Sequence, residues 1–82
     1  MIIVWDEMKR KTNLAKHGLD FADLTIDFFD EAVVVPSYDD RFIAIGEWNG
    51  ELVITVAFLP MGQEALSIIS MRPASRKERS LL

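Results

Sequence analysis

The chain has 82 residues, no cysteine, and a formal charge of −4 from nine basic and thirteen acidic side chains. That length holds one domain, and the absence of thiols excludes disulfides and cysteine-bound zinc, so an apolar half of the composition must carry the stability. No apolar run reaches a membrane span, and Met-Ile-Ile-Val-Trp-Asp-Glu lacks the basic start and longer apolar stretch of a signal peptide, so a cytoplasmic protein with no metal or cofactor is expected.

Ile2–Trp5 is a short β-branched run and reads as a strand. Asp6 is placed to cap a helix from Glu7 to His17, and Gly18 to end it. A second helix is expected from Asp20 to about Phe29, with Phe21, Leu24, Ile26, Phe28 and Phe29 supplying core. Ala32–Pro36 reads as a strand stopped by proline. Arg41–Trp48 and Glu51–Leu59 then form a hairpin about Asn49-Gly50, a strong turn signal. Pro60-Met61-Gly62 is expected to turn, Glu64–Arg72 to be the last strand, and Pro73 to end it. Ser75 followed by Glu78 matches a capping box and opens a short terminal helix.

Strands joined by tight turns imply an antiparallel meander. The expected fold class is therefore α+β: an antiparallel four- to five-stranded sheet with two N-terminal helices and a short C-terminal helix packed on one face. The charge pattern adds a second expectation. Residues 1–18 carry +2, residues 69–82 carry +3, and the segment between carries −9, with Arg41 its only cation. A fold that joins the two ends makes a local cationic site despite the acidic average, and a phosphate-bearing ligand suits it.

Three segments, VWDEMKRKTNLAKHGLDF, RFIAIG and LSIISMRPASRKER, resemble the BrnT family. The first contains Trp5, Asp6, Lys9, Asn13, Lys16, His17, Gly18 and Phe21 in the family's spacing. The last contains Ile69, Ser70, Arg72, Ala74, Glu78 and Arg79. The resemblance implies a toxin of a type II toxin–antitoxin system with a RelE-like ribonuclease fold, which cleaves RNA and inhibits translation. It further implies a BrnA-type ribbon-helix-helix antitoxin, a 2:2 heterotetramer that represses its own operon, and contact with operator DNA only through the antitoxin. One departure is plain: family members often have a cation near the end of the penultimate strand, where this chain reads Phe58-Leu59-Pro60-Met61.

Metal-free RNA cleavage needs a proton acceptor for the 2′-hydroxyl, charge stabilisation at phosphorus, and a proton for the leaving oxygen. Arginine suits the second task, because its planar fork donates two hydrogen bonds to phosphate oxygens. Arg72 is the first candidate, followed by Arg76 and Arg79; the alternative for Arg72 is an ion pair with the acidic middle. Glu78 is a candidate proton acceptor or simply half of the capping box. His17 is a candidate proton shuttle or a helix-end cap. Lys9, Lys16 and Lys77 are candidate RNA contacts, and Lys9, Arg10 and Lys11 together also read as a solvated face. Trp5 and Trp48 either stack on bases or pack in the core, and the acids of Tyr38-Asp39-Asp40 would repel RNA. A competing function is a non-catalytic module of the same fold that binds the antitoxin and modulates operator repression. Direct DNA binding lacks a recognition helix or basic arm.

Overall fold

In a computed structural model that describes all 82 residues, the first β-branched run forms β1 (Ile2–Trp5) and Asp6 starts α1 (Glu7–His17). The Asp6 carboxylate accepts the Lys9 N–H at 3.0 Å, satisfying one of the donors left open at a helix start. Gly18 ends the helix at φ 69°, a left-handed conformation that a side chain would strain, and its N–H donates to the Leu14 carbonyl at 2.8 Å. Arg10 pairs with Glu7 and donates to both carboxylate oxygens of Asp20 at 3.1 Å. It ties α1 to the segment after Gly18, so it does not belong to a free basic face.

The single helix expected over Asp20–Phe29 is broken. Asp20 does accept the Ala22 N–H, at 3.0 Å. The turn it caps is one 3-10 turn at Phe21–Asp23, after which Leu24 and Thr25 run extended into α2 (Ile26–Glu31). The 3-10 turn packs on the last strand, Ala65–Pro73, whereas α2 packs on Phe42–Trp48, two strands away. Extended backbone covers that distance at more than twice the rise per residue of a helix.

The remaining elements are β2 (Val33–Pro36), β3 (Phe42–Trp48), β4 (Leu52–Met61), β5 (Ala65–Pro73) and α3 (Arg76–Arg79). Asn49 and Gly50, at φ 54° and 70°, form the tip of the β3–β4 hairpin as expected. The expected turn at Pro60 comes later. Pro60 and Met61 pair with Leu66 and Ala65. The β3 partner ends at Phe58, so β4 is an edge there on one side, where proline's missing donor is tolerated.

The sheet has the order β1-β5-β4-β3-β2. Three pairs are antiparallel, but β1 lies parallel to β5, from Ile2 opposite Ala65 to Trp5 opposite Ile68. The sheet is therefore mixed, and the antiparallel expectation is corrected. Local turns specify only the β3–β4–β5 meander; β1 pairs across nearly the whole chain, which no local signal records.

Residues alternate between the two sheet faces. Ala44, Ile54, Val56, Phe58, Ile68 and Met71 share the core with Leu19, Phe21, Leu24 and Phe28 from the helical segments. Gly46 admits Phe28: a Cβ there would stand 3.1 Å from the Phe28 ring. Trp48 meets Phe28 edge-on at 5.9 Å and Trp5 packs against the same core, so both tryptophans serve packing. The intervening residues Ile43, Ile45, Thr55, Ala57, Ser70 and Arg72 occupy the other face. There α3 is anchored, with Glu78 bonded to Thr55 and Arg72. Helices thus lie on both sides of the sheet, not on one.

Candidate functional site

The second half of β5 builds the site. Ala57 pairs with Ser70 and Phe58 with Ile68, so Ile69 is an unpaired bulge residue. Because β1 ends opposite Ile68, the next stretch of β5 has one open edge. Asn13 of α1 closes part of it. Its buried side chain accepts the Met71 N–H at 3.1 Å and donates to the Leu19 carbonyl at 3.1 Å. This amide explains Asn13 in the first motif, a role that spacing alone does not reveal.

On the face carrying α3, Arg72 meets Glu78 end-on. Its two terminal nitrogens donate to the two carboxylate oxygens at 2.7 Å each. Glu78 also accepts from the Thr55 hydroxyl at 3.0 Å and the Ser75 N–H at 2.9 Å, and the Ser75 hydroxyl oxygen accepts the Glu78 N–H at 3.1 Å. Both halves of the capping box are present. The Arg72 hydrogen bonds, opposed by burial and aided by the Ser75 N–H and Thr55 hydroxyl, hold the Glu78 carboxyl down at about 2. It is ionised at neutral pH and a weak proton acceptor. Glu78 raises the Arg72 guanidinium in turn. The partner of Arg72 is thus its neighbour on α3, not the acidic middle of the chain. Its Nε–H and one Nη2–H bind no protein acceptor, which leaves the side-on fork open while Glu78 holds the other end.

Two hollows adjoin this stretch. One, of about 360 Å³, is lined by Arg72, Glu78, Ile43, Ala57, Ile69 and Ser70, with Ser37, Tyr38 and Arg41 from the β2–β3 loop. The other, of about 370 Å³, is lined by Met8, Lys9, Thr12, Asn13, Lys16 and His17 of α1, again with Ile69 and Ser70. The two basic ends of the chain therefore meet across Ile69–Ser70. Lys9, Lys16 and His17 fall on one side and Arg72 with Glu78 on the other. Arg76, Lys77 and Arg79 lie exposed on α3 and line neither hollow. His17 is half-buried and makes no side-chain hydrogen bond; the helix end is closed by Gly18 instead. Arg41 and Tyr38 join the site unannounced, because in sequence they stand among acids; only the β2–β3 connection brings them to Arg72. No three His, Asp or Glu side chains gather in a metal-binding group, and the one carboxylate in the hollows is taken by Arg72.

A mixed sheet that collects lysines, arginines and a histidine around adjoining hollows defines a protein equipped to hold a polyanion. A family model described as ribonuclease toxin, BrnT, of type II toxin-antitoxin system matches residues 5–78. The chain belongs to that family, the BrnT ribonuclease toxins. It is similar to the Brucella abortus ribonuclease toxin BrnT, known from a 1.1 Å crystal structure. Identity is 62%, the match covers 93% of this chain and 99% of that one, and the TM-score is 0.87. No curated protein matches. No helix is long and apolar enough to cross a membrane.

Proposed function

We propose that this toxin is a metal-independent endoribonuclease whose reaction runs at the junction of the two hollows. The observation that carries the reading is the meeting of Arg72, with its open side-on fork, and the Lys9–Lys16–His17 surface at Ile69–Ser70. The 2′-oxygen bonds to the adjacent phosphorus, the bond from phosphorus to the 5′-oxygen breaks, and a 2′,3′-cyclic phosphate and a 5′-hydroxyl result. Arg72 donates from Nε and Nη2 to the phosphate oxygens as charge gathers on them. Glu78 fixes the plane of that guanidinium and is a positioning residue. His17, which lines the adjoining hollow, is the group placed to carry a proton from the 2′-hydroxyl toward the leaving 5′-oxygen. Lys9 and Lys16 hold flanking phosphates, and Arg76, Lys77 and Arg79 on α3 extend the cationic surface beyond the hollows.

Cutting RNA in the cytoplasm inhibits translation. The acidic middle of the chain suits a basic partner, in this reading a BrnA-type ribbon-helix-helix antitoxin. The complex is a 2:2 heterotetramer that reaches operator DNA only through the antitoxin. The RelE-like fold is the one the family resemblance implies, and helices on a largely antiparallel sheet are compatible with it. A second reading, a non-catalytic module of the same fold that modulates operator repression, has a specific observation behind it. Leu59, Pro60 and Met61 place no cation at the end of β4, and Glu78 already occupies one end of Arg72.

The test is incubation of antitoxin-free protein with a long RNA in EDTA, beside Arg72→Ala. The expected result is fragments ending in cyclic phosphate from the wild type and a rate lower by about 10²-fold or more in the variant. A wild type that neither cuts RNA nor arrests growth on expression supports the non-catalytic module instead.

A further inference from the structure

Arg41 is the one cation in a segment holding ten carboxylates, yet it forms no ion pair. It is half-buried and lines the same hollow as Arg72. Two guanidinium groups that share a hollow repel each other, and an anion between them relieves the repulsion. The loop that carries Arg41 is closely defined. The Ser37 N–H donates to the Arg41 carbonyl at 2.8 Å and the Arg41 N–H to the Tyr38 carbonyl at 3.1 Å. Between them Asp39 and Asp40 adopt φ 56° and 59°, left-handed backbone that aspartate tolerates better than most side chains. Both aspartates are exposed and line no part of the hollow. The same loop holds Tyr38 at the rim of the hollow with 73% of its surface exposed. Its ring lines the same hollow as Arg72.

An exposed aromatic ring beside two arginines, above an apolar floor of Ile43 and Ala57, matches the parts of a nucleotide: a base to stack and a phosphate to bind. We propose that the Ser37–Arg41 loop forms a nucleotide subsite in which Tyr38 stacks one RNA base and Arg41, opposite Arg72, binds that nucleotide's phosphate. The subsite rests on the ribonuclease reading only for its ligand class, a single-stranded RNA. Tyr38 and Arg41 are binding residues, and the proton transfers do not pass through them. Stacking tolerates every base but favours the larger ring systems, so the loop gives the toxin a purine preference at this position.

The test uses fully 2′-O-methylated hexanucleotides of adenosine, cytidine and uridine, which lack the attacking hydroxyl and report binding alone. Wild type, Tyr38→Phe, Tyr38→Ala, Arg41→Gln and Arg72→Ala are titrated by fluorescence anisotropy. The expected result is tighter wild-type binding to the adenosine hexamer than to the uridine hexamer. Tyr38→Ala then weakens adenosine binding about tenfold and removes the preference, whereas Tyr38→Phe stays within about twofold. Arg41→Gln weakens all three hexamers by a similar factor. Equal binding by wild type and Tyr38→Ala, or no wild-type binding, overturns the subsite. Cleavage of long RNA is scored separately on the same proteins. A wild type that cuts RNA while Tyr38→Ala binds and cuts unchanged leaves the ribonuclease reading intact and removes the subsite. A wild type that binds through Tyr38 but neither cuts RNA nor arrests growth on expression keeps the subsite and removes the ribonuclease reading. Because Tyr38 is exposed, its alanine variant keeps the fold, and an unchanged melting temperature checks this.

Discussion

At the scale of single residues, Glu78 joins the fold to the site. Its carboxylate accepts two hydrogen bonds from Arg72, one from Thr55 and one from the Ser75 backbone. Those bonds favour the charged form, which is why the group titrates near 2 in place of its usual 4.5. A depressed carboxyl contributes stability that is complete above its unfolded value and is lost as pH falls toward its folded one. Glu78→Gln is therefore expected to be less stable than wild type at pH 7. The loss is on the order of 1–2 kcal/mol once solvent around the half-exposed arginine is allowed for. The gap should close between pH 4.5 and 2, where the wild-type carboxyl takes up its proton. Urea unfolding at several pH values measures this, and a gap constant with pH would exclude ionisation of Glu78 as its cause. The Ser75–Glu78 spacing made the capping box legible in the sequence. The pair of bonds from Arg72 to Glu78 was not, since a helix cap and an ion pair can compete for one carboxylate and in this fold both are satisfied.

At the scale of elements, α1 and β5 carry the site between them, and Asn13 joins them. The substitution Asn13→Leu keeps the approximate volume but leaves the Met71 N–H without an acceptor and the Leu19 carbonyl without a donor. The expected cost is about 1–3 kcal/mol, with faster hydrogen exchange at the Met71 amide. Chemical denaturation and exchange by NMR check both. Elements set by local chemistry were readable: the Asp6 cap, the Gly18 stop, the Asn49-Gly50 tip and the Ser75 cap all fall where side-chain type predicts. Features set by distant packing were not. The helix break at Leu24–Thr25 follows from the need to reach from β5 to β3, and the run of β4 through Pro60 follows from where β3 ends. Likewise Arg41 and Tyr38 join Arg72 only through sheet order, so neither stood out among its acidic neighbours.

For the molecule as a whole, a formal charge of −4 coexists with adjoining hollows that present Arg41, Arg72, Lys9 and Lys16. Binding of single-stranded RNA should therefore be salt-sensitive but modestly so. Four phosphate contacts at about 0.7 each predict a slope of log affinity against log salt near −3 and no steeper. Anisotropy titrations between roughly 50 and 200 mM salt measure the slope, and Arg41→Gln should reduce it by about 0.7. A much steeper slope would mean that the exposed cations of α3 also hold RNA. The grouping of charge at the two ends was visible in the sequence, and the fold brings Lys9, Lys16 and Arg72 together as that grouping suggested. It left Arg76, Lys77 and Arg79 outside.

The parallel pairing of β1 with β5 has a consequence for synthesis in the cell. Ile2 leaves the ribosome early, but its partner Ala65 and the residues Arg72 and Glu78 follow only after the rest of the sheet has been made. Contacts this distant in sequence form late and slowly. The nascent chain can assemble α1 and the β3–β4 hairpin while it grows, yet neither hollow exists until β5 enters between β1 and β4. The last strand to be made is thus the one that completes both hollows, so the order of synthesis makes their lining the final part of the sheet to be assembled.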